Sequence, residues 1–501
     1  MKIAAIDVGS NSIHMVLIEV DDAGNQVLLA REKAMVGLGR SLGRDGIIQP
    51  EAFEAGLEAL RRMKRLLTEQ GCGTMVAFGT ATLRDALNAG NFIAEAAASG
   101  VPIRVISGEE EARLIYQAVS HAVPFPDDPV VLVDIGGGST EITWHAGGGL
   151  KASTSIPWGT QRLADAVPCS NPPSPENHRA LRRLIRKELK KAGKELPKNL
   201  PEPFLILGTS GTLESLARGA SGDTAFTVEQ LEVFEKKLWR ESASGRIDRL
   251  GVEPKRGDNL HVGATWTMEL LRWLGPAPVR HLPVGLREGM IWEVLRHDGA
   301  DVPPLADLRR STVEALAVRS DRDPQHSLQV QRLAGDLFAS LRHAFDLGDQ
   351  EGEWLAHAAR LHDIGFSISE KAHHKHGAYI VSNSRLQGFW TEEVEILALL
   401  VRHHRGAMPH PEKHEGFGRL DPWHRRAVEK LTGILRLADA LDRRRIQAVR
   451  NLQLELNDRH LVLHVEGHDD LLEERAAVAK KGALLERLLD RSVVWRQEPR
   501  A

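Results

Sequence analysis

Hydrophobic and polar positions along this chain fall into two textures. Over the first 300 residues, short apolar runs end in turns and give way to helical spacing. Residues 2–6 form an apolar run that ends in Asp7-Val8-Gly9-Ser10. Residues 15–20 and 26–31 predict two more strands around a polar turn at 21–25. Phe53, Leu57, Leu60, Met63 and Leu67 share one face of 51–70, which predicts a helix. Strands are expected at 74–79 and 103–106, and a helix with an acidic start at 109–120. The pattern then restarts. Residues 130–133 run into Asp134-Ile135-Gly136-Gly137-Gly138-Ser139-Thr140, and strands at 142–145 and 152–156 flank a glycine turn at 147–149. In each half a strand enters an Asp-x-Gly turn and a second strand follows, an approximate internal repeat. A third glycine turn, Gly208-Thr209-Ser210-Gly211-Thr212, follows the run 204–207 and precedes a helix.

Past Pro303-Pro304 the strand signals vanish. Segments 311–346, 351–362, 391–405 and 424–445 have helical spacing. The tail reverts to alternation at 452–456 and 461–465, a hairpin around 457–459. A helix at 470–489 and a strand near 493–495 complete it.

Composition narrows the classes. A chain of 501 residues exceeds a single core and predicts three to four domains. No apolar run reaches the roughly 18–20 residues of a membrane span. The start of the chain turns polar too early for a secretory leader, and Cys72 and Cys169 are too few for a disulfide framework. A cytoplasmic location is expected. The 65 basic and 68 acidic residues leave a net charge of -3, against broad nucleic-acid binding. Of 22 histidines, 15 lie after residue 300, and histidine is the commonest metal ligand.

The glycine turns point to phosphate. Glycine lets backbone N–H groups approach an anion, and Ser/Thr hydroxyls add donors. A tight turn with a capping Asp explains one such turn; three in one unit predict a phosphate cleft. Asp7 and Asp134 at strand ends suit magnesium and its waters.

The stretches DVGSNSIHMV at the N-terminus, GTATLRDALN from Gly79, SGEEEARLIY from Ser107, DIGGGSTE from Asp134, GTSGT from Gly208 and GLREGM from Gly285 resemble the exopolyphosphatase/guanosine pentaphosphate phosphohydrolase family. They occur in family order over about 300 residues. The resemblance implies an α/β, duplicated ribonuclease-H-like (actin/sugar kinase/chaperone) fold, with halves at 1–124 and 125–302 around a cleft. It implies hydrolysis of a terminal phosphate with magnesium, and places the catalytic carboxylate before the Ala-Arg of Glu-Glu-Ala-Arg, at Glu111. Glu110 is the neighbouring candidate. By charge, Asp134 and Glu141 would hold magnesium or its waters. Asn11, Ser12, Gly136, Gly137, Gly138, Ser139, Ser210 and Gly211 would donate to phosphate, and Arg84 would pair with it. Arg287 belongs to the same set, although Leu282-Pro283-Val284 replaces the acidic residue usual before Leu-Arg-Glu-Gly.

The histidine excess resolves into an order. His326 precedes Leu361-His362-Asp363-Ile364-Gly365, and Asp439 follows in Leu437-Ala438-Asp439-Ala440-Leu441. This order resembles the HD metal-dependent phosphohydrolase superfamily. It implies an all-α HD-like domain at 303–447, with His326, His362, Asp363 and Asp439 on one divalent metal, before a small α+β domain at 448–501. His373, His374, His376, His403 and His404 are candidates for a second metal or phosphate. Basic clusters at 179–194, with eight Lys/Arg and one Glu, and at Arg443-Arg444-Arg445 read as solvated faces or as guides for a polyanion.

The expected activity is exopolyphosphatase, releasing orthophosphate from inorganic polyphosphate. The alternative is a pppGpp 5′-phosphohydrolase. More remote are an ATP-dependent small-molecule kinase of the same fold and a non-catalytic (p)ppGpp sensor. Family resemblance also implies a homodimer.

Overall fold

The computed structural model describes residues 1–21, 26–126, 128–147, 149–194, 201–297, 305–384, 386, 388–467 and 470–498. The expected turn at 21–25, the middle of the 147–149 turn and the Pro303-Pro304 boundary lie wholly or partly outside them. Two compact units make up the chain, Met1–Pro303 and Pro304–Ala501.

The first unit is built twice over. Strands β1 (Lys2–Val8), β2 (Ser12–Val20), β3 (Gln26–Met35), β4 (Thr74–Gly79) and β5 (Ile103–Val105) form a sheet in the order β3-β2-β1-β4-β5. Strands β6 (Val130–Ile135), β7 (Thr140–Ala146), β8 (Gly149–Ile156), β9 (Leu205–Gly208), β10 (Ala225–Phe226) and β11 (Val279–His281) give the order β10-β11-β9-β6-β7-β8. Without the short β10, the two orders coincide. Each half has an antiparallel meander followed by parallel strands reached through helices. This is the actin-like, ribonuclease-H-like duplication. Each sheet has its own apolar core, one around Ile6, Met15, Leu57 and Phe92, the other around Val133, Ile142, Leu216 and Trp266.

Backbone register carries the repeat into the chemistry. Asp7 stands opposite His14 across β1 and β2, and Asp134 stands opposite Glu141 across β6 and β7. Both hairpins close with the same bond: the Gly9 N–H donates to the Ser12 carbonyl at 3.2 Å, and the Gly136 N–H to the Ser139 carbonyl at 3.0 Å. The two turns then press together. A Cβ on Gly138 would lie 2.7 Å from Ser10 Oγ and 2.8 Å from Ala81 Cβ. Glycine at 138 is therefore set by the approach of one half to the other.

In the second unit, helices Leu305–Ser320, Pro324–Phe345, Asp349–Leu361, His373–Asn383, Thr391–His403, Glu415–Arg419 and Pro422–Leu441 precede a three-stranded sheet. Its strands are β12 (Val449–Leu456), β13 (His460–Gly467) and β14 (Ser492–Gln497), in that order. Helices and sheet share one core, in which Leu333, Leu361 and Leu435 pack with Leu452, Leu463 and Leu485.

Two predicted helices divide. The 311–346 segment breaks before Pro324, where the Asp323 carboxylate accepts from the His326 N–H at 3.3 Å and caps a new helix. The 470–489 segment breaks at Gly482. The helix His373–Asn383 was not expected, because its polar start hides the apolar spacing.

Adding one methyl at the hairpin contact should be costly. Gly138→Ala is expected to lower the unfolding free energy of the first unit by roughly 1–3 kcal/mol. Chemical denaturation against wild type measures it; an unchanged midpoint would mean that the two turns yield freely.

Candidate active site and candidate metal centre

The cleft of the first unit gathers residues from both halves. Helix Gly108–Ala122 begins at Ser107, whose Oγ accepts from the Glu110 N–H at 3.0 Å. The helical turn sends three consecutive glutamates in different directions. Glu109 is exposed, and Glu110 pairs outward with Arg104 at 2.7 Å. Glu111 turns inward, is only 8% exposed and meets Arg84 Nη1 at 2.9 Å. The Arg84 Nη2 lies 3.5 Å from Ser139 Oγ, so one guanidinium spans both halves.

Around this pair stand three more carboxylates. Asp134 accepts from Thr209 Oγ1 at 2.6 Å, and Glu141 accepts from Ser155 Oγ at 2.8 Å. Asp7 ends β1. Burial raises Asp7 to about 6 and Glu111 to about 7, the latter against the pull of Arg84. Asp134 is raised by burial. Glu141 is raised well above the usual range by burial and by the charges of Glu111 and Asp134. These acids raise one another through their charge, so the cleft is short of positive charge.

The other expected phosphate contacts divide by what already engages them. The Gly136 N–H is taken by the Ser139 carbonyl, and Gly137 and Gly138 lie against Ser10 of the β1–β2 turn. Ser210 Oγ caps helix Gly211–Ser221 by accepting from the Leu213 N–H at 3.3 Å, which places Gly211 at the helix N-terminus. Asn11 lies in the β1–β2 turn against Gly137. Ser12 Oγ is 2.6 Å from His14 Nε2, and Arg287 Nη1 is 2.8 Å from His14 Nδ1. The Arg287 charge also acts on Asp7 and Asp134. His14 and Thr209 were missed by sequence reasoning. The pairing of His14 with Asp7 is a register effect that only the strand count could have suggested.

The second unit holds a different centre, buried except at Asp439. His362 Nε2 lies 3.3 Å from His326 Nε2 and 3.5 Å from Asp363 Oδ2. The other Asp363 oxygen lies 3.3 Å from His373 Nε2 and 3.6 Å from His404 Nε2. Asp439 Oδ1 is 3.5 Å from His326 Nε2. Two triads, His326-His362-Asp363 and Asp363-His373-His404, therefore share one carboxylate. The outer ring nitrogens explain the arrangement. Nδ1 of His362, His373 and His404 faces the carbonyls of Ala359, Glu370 and Val401 at 2.8, 3.1 and 2.7 Å, and Nδ1 of His326 faces Asp442 at 2.8 Å. A carbonyl accepts only, so Nδ1 of His362, His373 and His404 carries the proton, and the neutral ring leaves Nε2 with a lone pair. Lone pairs pointing at one another fit metal ions between them.

Charge here is already partly balanced. Burial would raise Asp363, but His362, the His373 hydrogen bond, His404 and Arg445 hold it far below the usual range. Burial works against charge on His326, yet Asp439 and Asp442 raise it to about 9. Arg445 donates to Asp363 Oδ2, and Lys481 to Asp439 Oδ2. Of the basic cluster, Arg445 thus points inward, and Arg444 pairs with buried Glu474 at 3.0 Å. His403 stands apart from both triads. Its Nδ1 faces the Ala407 carbonyl at 2.9 Å and its ring packs on His414, because consecutive helix residues point about 100° apart. His374 likewise lies outside the triads, and burial lowers it to about 4. In the other basic cluster, Arg182 and Arg186 converge on Glu269 at 3.0 and 2.6 Å.

Comparison with known proteins gives the arrangement a context. A family model described as the Ppx/GppA phosphatase family matches residues 16–298, and one for Ppx/GppA phosphatase, domain III, matches residues 308–481. An exopolyphosphatase from Cytophaga hutchinsonii ATCC 33406 is similar at 25% identity and a TM-score of 0.54, over 61% of this chain and 100% of that one. The Aquifex aeolicus member of the Ppx/GppA family is similar at 26% identity and a TM-score of 0.50, over 59% of this chain and 98% of that one. No helix among the described residues is long and apolar enough to cross a membrane.

The acid cluster predicts how stability follows pH. Unfolded, Asp7 and Glu111 titrate near 3.8 and 4.5; folded, near 6 and 7. As pH rises through this window the unfolded chain ionises first, so the folded unit loses stability. In chelator, the first unit should melt at lower temperature at pH 7.5 than at pH 5, and Glu111→Gln should flatten the fall. Calorimetry across that range checks it; a steeper fall in the variant would contradict the assignment.

Proposed function

As this chain belongs to the Ppx/GppA phosphatase family and is a hydrolase of phosphoanhydride bonds, we propose that it releases terminal orthophosphate from inorganic polyphosphate in the cleft of its first unit. The observation that carries this reading is the inward, buried Glu111, raised to about 7 and paired with Arg84 beside the glycine hairpins. A base with that value is part ionised at neutral pH, which suits it to take a proton from water. Glu111 accepts the proton as the water oxygen attacks the terminal phosphorus; the anhydride P–O bond to the next phosphate breaks, and the shortened chain leaves with the bridging oxygen while orthophosphate forms. Arg84 holds an oxygen of the phosphoryl group from one side, and the amides of Gly137 and Gly138 hold it from the other. Asp134 and Glu141 would hold magnesium, with Asp7 beside them. When bound, it supplies neutralisation of charge on the phosphate oxygens. Such hydrolysis rests mainly on positioning and charge, so removing the base costs turnover more than binding.

The pppGpp 5′ end presents the same phosphoanhydride and remains the alternative substrate. In the second unit, His326, His362, Asp363 and Asp439 would hold one divalent ion, and Asp363, His373 and His404 a second.

Two outcomes are expected. Glu111→Ala should lower kcat on long-chain polyphosphate by about 10²–10⁴-fold with little change in KM; unchanged phosphate release would remove Glu111 from the chemistry. Metal analysis of the purified protein should find divalent ions that the double variant His362→Ala/Asp363→Ala lacks. Equal, near-zero content in both would retire the second centre.

A further inference from the structure

A cavity of about 630 Å³ opens beside Arg84. The first half lines it with Arg84, Ser107 and Gly108, and the second half with Ser139 and the strand β8. β8 is the outer strand of its sheet, so one edge of its backbone has no partner strand. Period two puts Ser155 and Ser153 on one face, and Lys151 follows at a bulge in the strand; all three line the cavity. The inner end of this row is anchored in the acid cluster, since Ser155 Oγ donates to Glu141. It also abuts the helix that carries Glu111, because a Cβ on Gly108 would lie 2.3 Å from Ser155. The outer end is exposed at Ser153 and Lys151. The row thus leads from the reacting centre to solvent.

Charge along the wall is uneven. Arg84 is engaged by Glu111, and Arg162 by Asp85. Lys151 has no carboxylate partner among the described residues; Glu109, exposed across the cavity, is the remaining acid of the lining. Among the described residues no aromatic side chain lines the cavity, and the apolar contributions are Ala81, Ala152 and Pro157. Nothing here stacks a nucleobase, whereas hydroxyls, strand amides and one free cation suit a repeating anion.

We infer that the Ser155–Ser153–Lys151 row is a subsite for the body of an anionic phosphate chain behind its terminal group, with Lys151 setting the preference for long chains. This rests on the cleft being a polyphosphate hydrolase. The four residue steps from Ser155 to Lys151 span roughly 13 Å of strand. A triphosphate docked by its terminal group at Arg84 and Ser139 ends short of Lys151, and a long chain passes it.

The experiment measures kcat and KM for wild type, Lys151→Ala and Lys151→Arg on long-chain polyphosphate and on tripolyphosphate. Lys151→Ala should raise KM for the long chain about tenfold, with kcat retained, and leave tripolyphosphate turnover unchanged. Lys151→Arg should restore the long-chain KM. The Lys151→Ala KM should also respond less steeply to salt than that of wild type. An unchanged long-chain KM, or an equal rise for both substrates, would overturn the inference and leave the hydrolase reading standing. Turnover of neither substrate by wild type would overturn both.

Discussion

Like charges buried together dominate this molecule. Asp7, Glu111, Asp134 and Glu141 sit in one cleft, and Arg84, Arg287 and Lys33 act against their charge. Holding four acids there is unfavourable for the bare chain, since burial and mutual repulsion both resist ionisation. The surrounding architecture answers that strain. Two separate apolar cores, rather than one, bring strand ends face to face. Glycine at the hairpin tips lets those ends touch. The result is a site whose acids favour taking up a proton or a cation, the property that a water-activating phosphatase uses.

The second unit meets the same problem with a different answer. Its acids, Asp363 and Asp439, are held below the usual carboxylate range by the imidazoles and by Arg445 and Lys481. Each imidazole is oriented by a fixed acceptor on its outer nitrogen. One centre is therefore deficient in positive charge, and the other is internally compensated. Lys481 comes from the end segment that follows the β12–β13 hairpin, so this compensation also ties the tail of the chain to the helical core.

Much of this was legible in the sequence, for physical reasons. Period-two and period-3.6 patterns placed the strands and most helices because each element buries one face. Glu111 was legible because a helix start shows in Ser107 and the run of glutamates, and the motif selects one of the three. Contacts that depend on register or rotation were not legible. His14 meets Arg287 across 273 residues of sequence, which local pattern does not encode. His403 and His404 look equivalent as letters, and helical rotation separates them. Arg445 reads as surface charge, yet it reaches a buried carboxylate because its backbone adopts a left-handed turn, with φ of 59°. Lys151 stood unmarked because a lone lysine on an edge strand has no motif.

The register of the two hairpins has one more consequence. A faithful duplication would give a site with two interchangeable walls. Here the position facing Asp7 is His14, and the matching position facing Asp134 is Glu141. That difference breaks the pseudo-twofold symmetry of the cleft. One wall is left cationic through Arg287, and the other anionic. The two walls therefore offer unlike charge to an anion that enters between them.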